Sequence, residues 1–125
     1  MNPETNFVQF ESQTENPQFE DVYDIDPKEL QKKLEASEDL KLIDVREPNE
    51  YVGELGHVAT TELISLGSIP QNLDQLPKDK TVVFICRSGG RSAQATAFAK
   101  SRGFTNVYNM RGGMLLWNQL ALPTE

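Results

Sequence analysis

Thr81-Val82-Val83-Phe84-Ile85 constrains this chain more than any other segment, because every position is apolar or β-branched. A strand with one wet face alternates apolar and polar residues. A continuous run belongs to a strand covered on both faces, as in a parallel sheet between helical layers. Leu40 to Val45 is a second such run, broken by Lys41 and Asp44. Val22-Tyr23-Asp24-Ile25 alternates like an edge strand, and Glu62 to Leu66 and Val107-Tyr108 supply two more candidates. Helical signals fall between them. Asp26-Pro27-Lys28-Glu29 reads as a helix start, with Asp26 as N-cap, Pro27 in the first turn and Glu29 three residues on; Leu30 and Leu34 share one face. Pro48 opens a short helix to Tyr51, and Ile69 to Leu76 is helix-like up to Pro77. Ser92 to Arg102 is an Ala-rich helix closed by Gly103, and Met114 to Leu120 closes the chain's pattern. Strands alternating with helices predict an α/β domain of three layers, a parallel sheet flanked by helices on both faces. Ligands of such sheets sit outside the carboxyl ends of the strands.

The ordered pattern begins near residue 21, which predicts a single domain over 21–125. Residues 1–20 carry four acids and no base, with isolated Phe7, Phe10 and Phe19, and read as a flexible acidic arm or a docking strand. No run nears the ~20 apolar residues of a membrane helix, and the first ten residues lack a signal-peptide pattern. One cysteine excludes an internal disulfide and any multi-cysteine metal site. These features point to the cytoplasm and away from membranes. The net charge of −7 is uneven: residues 1–74 hold 5 basic and 17 acidic side chains, residues 75–125 hold 7 basic and 2 acidic. A local anion site in an acidic protein fits that asymmetry. Nucleic acid does not, since the basic residues form no dense run.

The anion site is legible just past the strongest strand. Cys86 follows Ile85, and Arg87-Ser88-Gly89-Gly90 leads to Arg91-Ser92 at the start of the next helix. The glycines let a backbone turn its N–H groups inward, and a helix start adds unpaired donors and partial positive charge. Arg87 and Arg91 add full charges with forked donors. A lone cysteine after a buried strand is usually an inert small hydrophobe. Arg-Ser-Gly-Gly-Arg-Ser is badly suited to burying an apolar thiol, so Cys86 is expected to be a nucleophile, mostly thiolate at neutral pH. Phosphoester and arsenate chemistry use similar parts. Here four residues, Arg87 to Gly90, separate Cys86 from Arg91, one fewer than in cysteine phosphatase loops. A tighter cradle suits one sulfur better than a tetrahedral phosphate.

Cys86-Arg87-Ser88-Gly89-Gly90-Arg91-Ser92 closely resembles the active-site loop of the rhodanese family. Leu42 to Tyr51 followed by Gly56-His57-Val58 resembles that family's N-terminal signature, and Met110-Arg111-Gly112-Gly113-Met114 with Trp117 its C-terminal one. The resemblance implies a five-stranded parallel sheet and a thiosulfate sulfurtransferase-like enzyme. It implies that Cys86 takes sulfane sulfur from a small anionic donor such as thiosulfate, or from a persulfide donor. Cys86 then holds it as a persulfide and passes it to a thiophilic acceptor such as cyanide or a protein thiol. Backbone N–H groups from Arg87 to Ser92 would cradle the sulfur, with Arg87 and Arg91 on the donor's anionic end. No metal or organic cofactor is implied, since sulfur itself is the group carried. A persulfide carrier that hands sulfur to a partner would use the same thiol, and the residues leave both roles open. One departure is Ile64-Ser65-Leu66, where serine stands in place of the usual proline. His57 is expected to make a structural hydrogen bond, Asp44 and Arg46, at a strand's carboxyl end, to serve in structural pairing rather than face the site, Gly112-Gly113 to form a tight helix entry, and Trp117 to fill the core.

Overall fold

The computed structural model describes residues 7–125. Its centre is β5 (Thr81–Ile85), buried at every position as its sequence demands. Parallel to it on one side lies β3 (Leu40–Asp44), in register from Leu40 opposite Thr81 to Asp44 opposite Ile85. On the other side lies β6 (Val107–Met110), also parallel. Beyond these, β2 (Tyr23–Ile25) pairs parallel with β6, and β4 (Glu62–Leu63) parallel with β3. The expected five parallel strands are therefore joined by a sixth. Antiparallel to β2 runs β1 (Thr14–Glu15), giving the order β1-β2-β6-β5-β3-β4. Five strands thus become six, and Tyr23–Ile25, expected at an edge, lies one strand in. Two exposed residues held by backbone pairing carry no periodicity, so nothing in their side chains announces β1.

The sheet's pleat sorts its residues into two cores. Val82, Phe84 and Cys86 face α3 (Ile69–Asn72) and α4 (Gly90–Ser101), packing with Ile69, Ala95 and Ala99. Val83 and Ile85 face α1 (Pro27–Glu35) and α5 (Gly113–Gln119), packing with Leu30, Met114 and the fully buried Trp117. A short α2 (Pro48–Tyr51) follows β3. The three-layer α/β expectation holds. The segment expected to be helical over residues 69–76 is α-helix only to Asn72, then a 3₁₀ turn, Leu73–Gln75. Among the described residues, no helix is long and apolar enough to cross a membrane.

The stretch expected to be a flexible acidic arm or a docking strand, residues 1–20, lies partly outside the described residues. From Phe7 onward it is docked. Val8 and Phe10 are buried in the α1/α5-side core, and Phe10 meets Tyr108 edge-on at 5.2 Å. Val8 N–H donates to Thr81 Oγ1 at 2.8 Å, and the amides of Glu11 and Ser12 donate to the Glu29 carboxylate. The isolated apolar residues of a polar segment are what hold it down, since each large side chain buried contributes about 1.5–3 kcal/mol. Glu29 is consequently not the partner of an N-capping Asp26. Asp26 makes no side-chain cap and pairs with Arg111 Nη2 at 2.7 Å.

Candidate active site

Cys86 leaves the carboxyl end of β5 with its side chain on the α4 side and 1% exposed. The chain then turns through Gly89, whose φ of 106° is a left-handed conformation that glycine adopts without strain, and enters α4 at Gly90. The turn points donors at the sulfur. Gly89 N–H lies 3.1 Å from Cys86 Sγ, Ser92 N–H 3.4 Å, and the Ser92 hydroxyl oxygen 3.2 Å. Of the backbone N–H groups expected from Arg87 to Ser92, these two reach the sulfur. Ser88 and Arg87 are exposed at the lip of the loop.

The loop keeps this shape because its carbonyls are held from behind. Met114 N–H donates to the Cys86 carbonyl and Leu115 N–H to the Arg87 carbonyl, both at 2.9 Å. With those carbonyls engaged by the first turn of α5, the following N–H groups are left facing the thiol. The approach is so close that only glycine fits at residue 113. A Cβ there would stand 2.5 Å from the Cys86 and Arg87 carbonyl oxygens, and φ is 58°. The paired glycines expected to form a helix entry therefore brace the loop as well.

Arg91 sits differently from the sequence-based expectation. Its fork is taken by Glu50 of α2, Nη1 to Oε1 at 2.8 Å and Nη2 to Oε2 at 2.9 Å. Glu50 Oε1 also accepts the N–H of Glu47 at 2.9 Å. The hydrogen bonds from Arg91, then from Glu47, hold the Glu50 carboxyl down at about 2. Glu50 in turn raises Arg91 above its ordinary value. Behind this pair, Asp44 and Arg46 form the expected ion pair, almost wholly buried. Arg46 Nε and Nη2 each lie 2.9 Å from a carboxylate oxygen of Asp44. The guanidinium also donates to the carbonyls of Glu50 at 3.2 Å and Gly56 at 2.8 Å. Arg46 thus fixes the turn that carries Glu50, and Glu50 fixes Arg91. Ser65 Oγ donates to the Arg46 carbonyl at 3.1 Å, so the serine in place of proline ties the β4 side to the same turn.

Arg87 borders a cleft of about 280 Å³ shared with Arg46, Asn49, Glu50 and residues 53–55. On the other side of the loop, Ser88, Gly89 and Gly90 border a second groove with Asn16, Pro17, Asn109 and Arg111. His57 stands away from the thiol, stacked on Tyr51 at 3.9 Å with Nδ1 3.0 Å from the Tyr51 carbonyl, in the structural role expected of it. Glu50, Asp24 and Asn109 were not foreseen as site residues. Glu50 and Arg91 are 41 positions apart, and no local pattern couples them. The only hint was Glu50's place beside Tyr51 within the first signature.

A protein-family model described as Rhodanese-like domain matches residues 26–120. A protein of Allochromatium vinosum named Sulfurtransferase is 37% identical over 102 residues, covering 82% of this chain and 94% of its own length. The Bacillus subtilis protein YtwF is 43% identical over 103 residues, covering 82% and 97%. Among solved structures, a rhodanese-like domain protein from Staphylococcus aureus superposes with a TM-score of 0.71 at 29% identity, covering 82% of this chain and 97% of that one.

Proposed function

The chain belongs to the family of rhodanese-like domains, and on that footing we propose that it is a sulfurtransferase working through a persulfide on Cys86. The observation that carries the proposal is the sulfur itself, set at a strand-to-helix junction with the Gly89 and Ser92 N–H groups aimed at it. Such donors can hydrogen-bond an anionic sulfur and would cradle the sulfur transferred to it. Arg91 adds a positive charge whose position Glu50 holds constant. Arg87, exposed beside the cleft and without an ion pair among the described residues, is the cation that would meet the donor's anionic end.

The proposed chemistry needs no cofactor. Cys86 Sγ attacks the outer sulfur of thiosulfate or of a persulfide donor. As the new S–S bond forms, the bond to the donor breaks, and sulfite or a thiolate leaves with the electron pair. A cyanide carbon or a protein thiolate then attacks the outer sulfur, and the Cys86 thiolate leaves with the bonding pair. Both half-reactions balance without an oxidant. A thiol that must return to its reduced form each cycle suits a reducing cytoplasm.

Cyanolysis with thiosulfate tests the proposal. Thiocyanate should form with the parent protein and not with Cys86→Ser, and intact mass after thiosulfate alone should show one added sulfur that a reductant removes. Thiocyanate production that survives in Cys86→Ser refutes the mechanism. Sulfur loading that cyanide fails to discharge but a protein thiol does would assign the relay role.

A further inference from the structure

The Ser92 hydroxyl has one proton and two claimants. Its oxygen lies 3.2 Å from Cys86 Sγ and in a short contact with Asn109 Oδ1. The orientation of Asn109 decides between them, and Asp24 decides that orientation. Asp24 Oδ1 accepts from Asn109 Nδ2 at 2.9 Å and from Asn16 Nδ2 at 3.0 Å. A carboxylate oxygen only accepts, so the amide nitrogen of Asn109 must face Asp24 and its carbonyl oxygen must face Ser92. That oxygen also only accepts, so the Ser92 proton points to Asn109. A lone pair is left for Cys86. Ser92 and Asn109 are 0% and 2% exposed and Asp24 7%, so water offers little alternative partnering.

We infer that Asp24 and Asn109 are positioning residues that hold the Ser92 proton away from Cys86, so that ionising the thiol requires turning this hydroxyl. A neutral thiol can donate to the Ser92 lone pair. A thiolate needs the proton back, and the Asn109–Ser92 bond must then break. The chain therefore opposes the two backbone N–H donors and sets the thiol less ready to ionise than the loop alone would make it. Asp24 and Asn16 both lie ahead of residues 26–120, the part matched by the family model. The other charges at this end of the sheet include Arg87 and Arg91 of the loop, Glu50 and Glu47 beside Arg91, Glu54 in the Arg87 cleft, the Asp44–Arg46 pair, and Arg111 with its partner Asp26. No residue of α5 is charged.

The inference rests on Cys86 being the reacting group but not on sulfur transfer, and its test reads the thiol directly. The rate of alkylation of the single cysteine by iodoacetamide is followed against pH in the full chain. In Asp24→Asn, Asn109 is free to turn its amide to Ser92, which releases the hydroxyl proton to the sulfur. In Asn109→Ala, the competing acceptor is gone with no change of charge. Both variants should move the midpoint of alkylation down by about half to one pH unit, the effect of one hydrogen bond. Removing the Asp24 charge alone would also lower the midpoint, so each substitution is repeated with Ser92→Ala. There the Asn109→Ala shift should vanish, and the Asp24→Asn shift should shrink to what the lost charge alone produces. An unmoved midpoint in Asn109→Ala, or an equal shift with and without Ser92, overturns the inference. Loss of cyanolysis with these alkylation profiles intact would refute the sulfurtransferase proposal and leave the positioning chain standing.

Discussion

Replacing Glu50 by glutamine should weaken the protein in a way that depends on pH. The substitution keeps the shape and one acceptor oxygen but removes the charge that Arg91 grips through two hydrogen bonds. Lowering a carboxyl from an ordinary 4.5 to about 2 corresponds to roughly 3 kcal/mol between its two protonation states. The Glu50 and Arg91 side chains are 26% and 35% exposed, so solvent screening reduces that to about 1 kcal/mol. The sign follows from the direction of the shift. A carboxyl held below its unfolded value contributes fully above about pH 4.5 and loses the contribution as pH falls toward 2. Urea unfolding of parent and Glu50→Gln should therefore differ by about 1 kcal/mol at pH 7, by less near pH 3.5, and by almost nothing at pH 2. High salt should narrow the gap at pH 7. A difference of the same size at pH 7 and pH 2 would refute the charge-pair account and leave only packing.

Gly113→Ala should disable the loop, because the added Cβ falls 2.5 Å from the Cys86 and Arg87 carbonyl oxygens and the backbone is left-handed there. A stability loss of about 2 kcal/mol or more is expected by thermal melting, with thiocyanate production falling by more than the folded fraction does. Asp44→Asn leaves the Arg46 charge buried without its counter-charge, which should cost about 3–5 kcal/mol in urea unfolding. A loss below 1 kcal/mol would mean that the carbonyls of Glu50 and Gly56 suffice for Arg46.

What could be foreseen from the residues and what could not divide along a physical line. The continuous run Thr81–Ile85 announced a doubly covered strand, and the glycines and arginines after it announced an anion loop, because each of these signals is local in the chain. The parts missed are all pairings between distant segments. Glu50 with Arg91 spans 41 positions and Asp24 with Asn109 spans 85, and neither residue type says which partner the fold will bring. That residues 7–20 dock, one of two readings their sequence left open, stayed undecided for a related reason. Its composition is that of a solvated tail, and only Val8 and Phe10 outweigh the rest by finding the α1/α5-side core. The sixth strand was silent because backbone pairing alone makes it.

The brace behind the loop has a consequence for the order in which the protein becomes competent. Cys86 leaves the ribosome well before Met114 and Leu115, whose N–H groups hold the Cys86 and Arg87 carbonyls. A nascent chain that has released β5 and α4 carries the thiol and its glycines but not the turn that keeps the carbonyls away from it. The donor geometry around Cys86 is thereby completed only with the last helix of the fold.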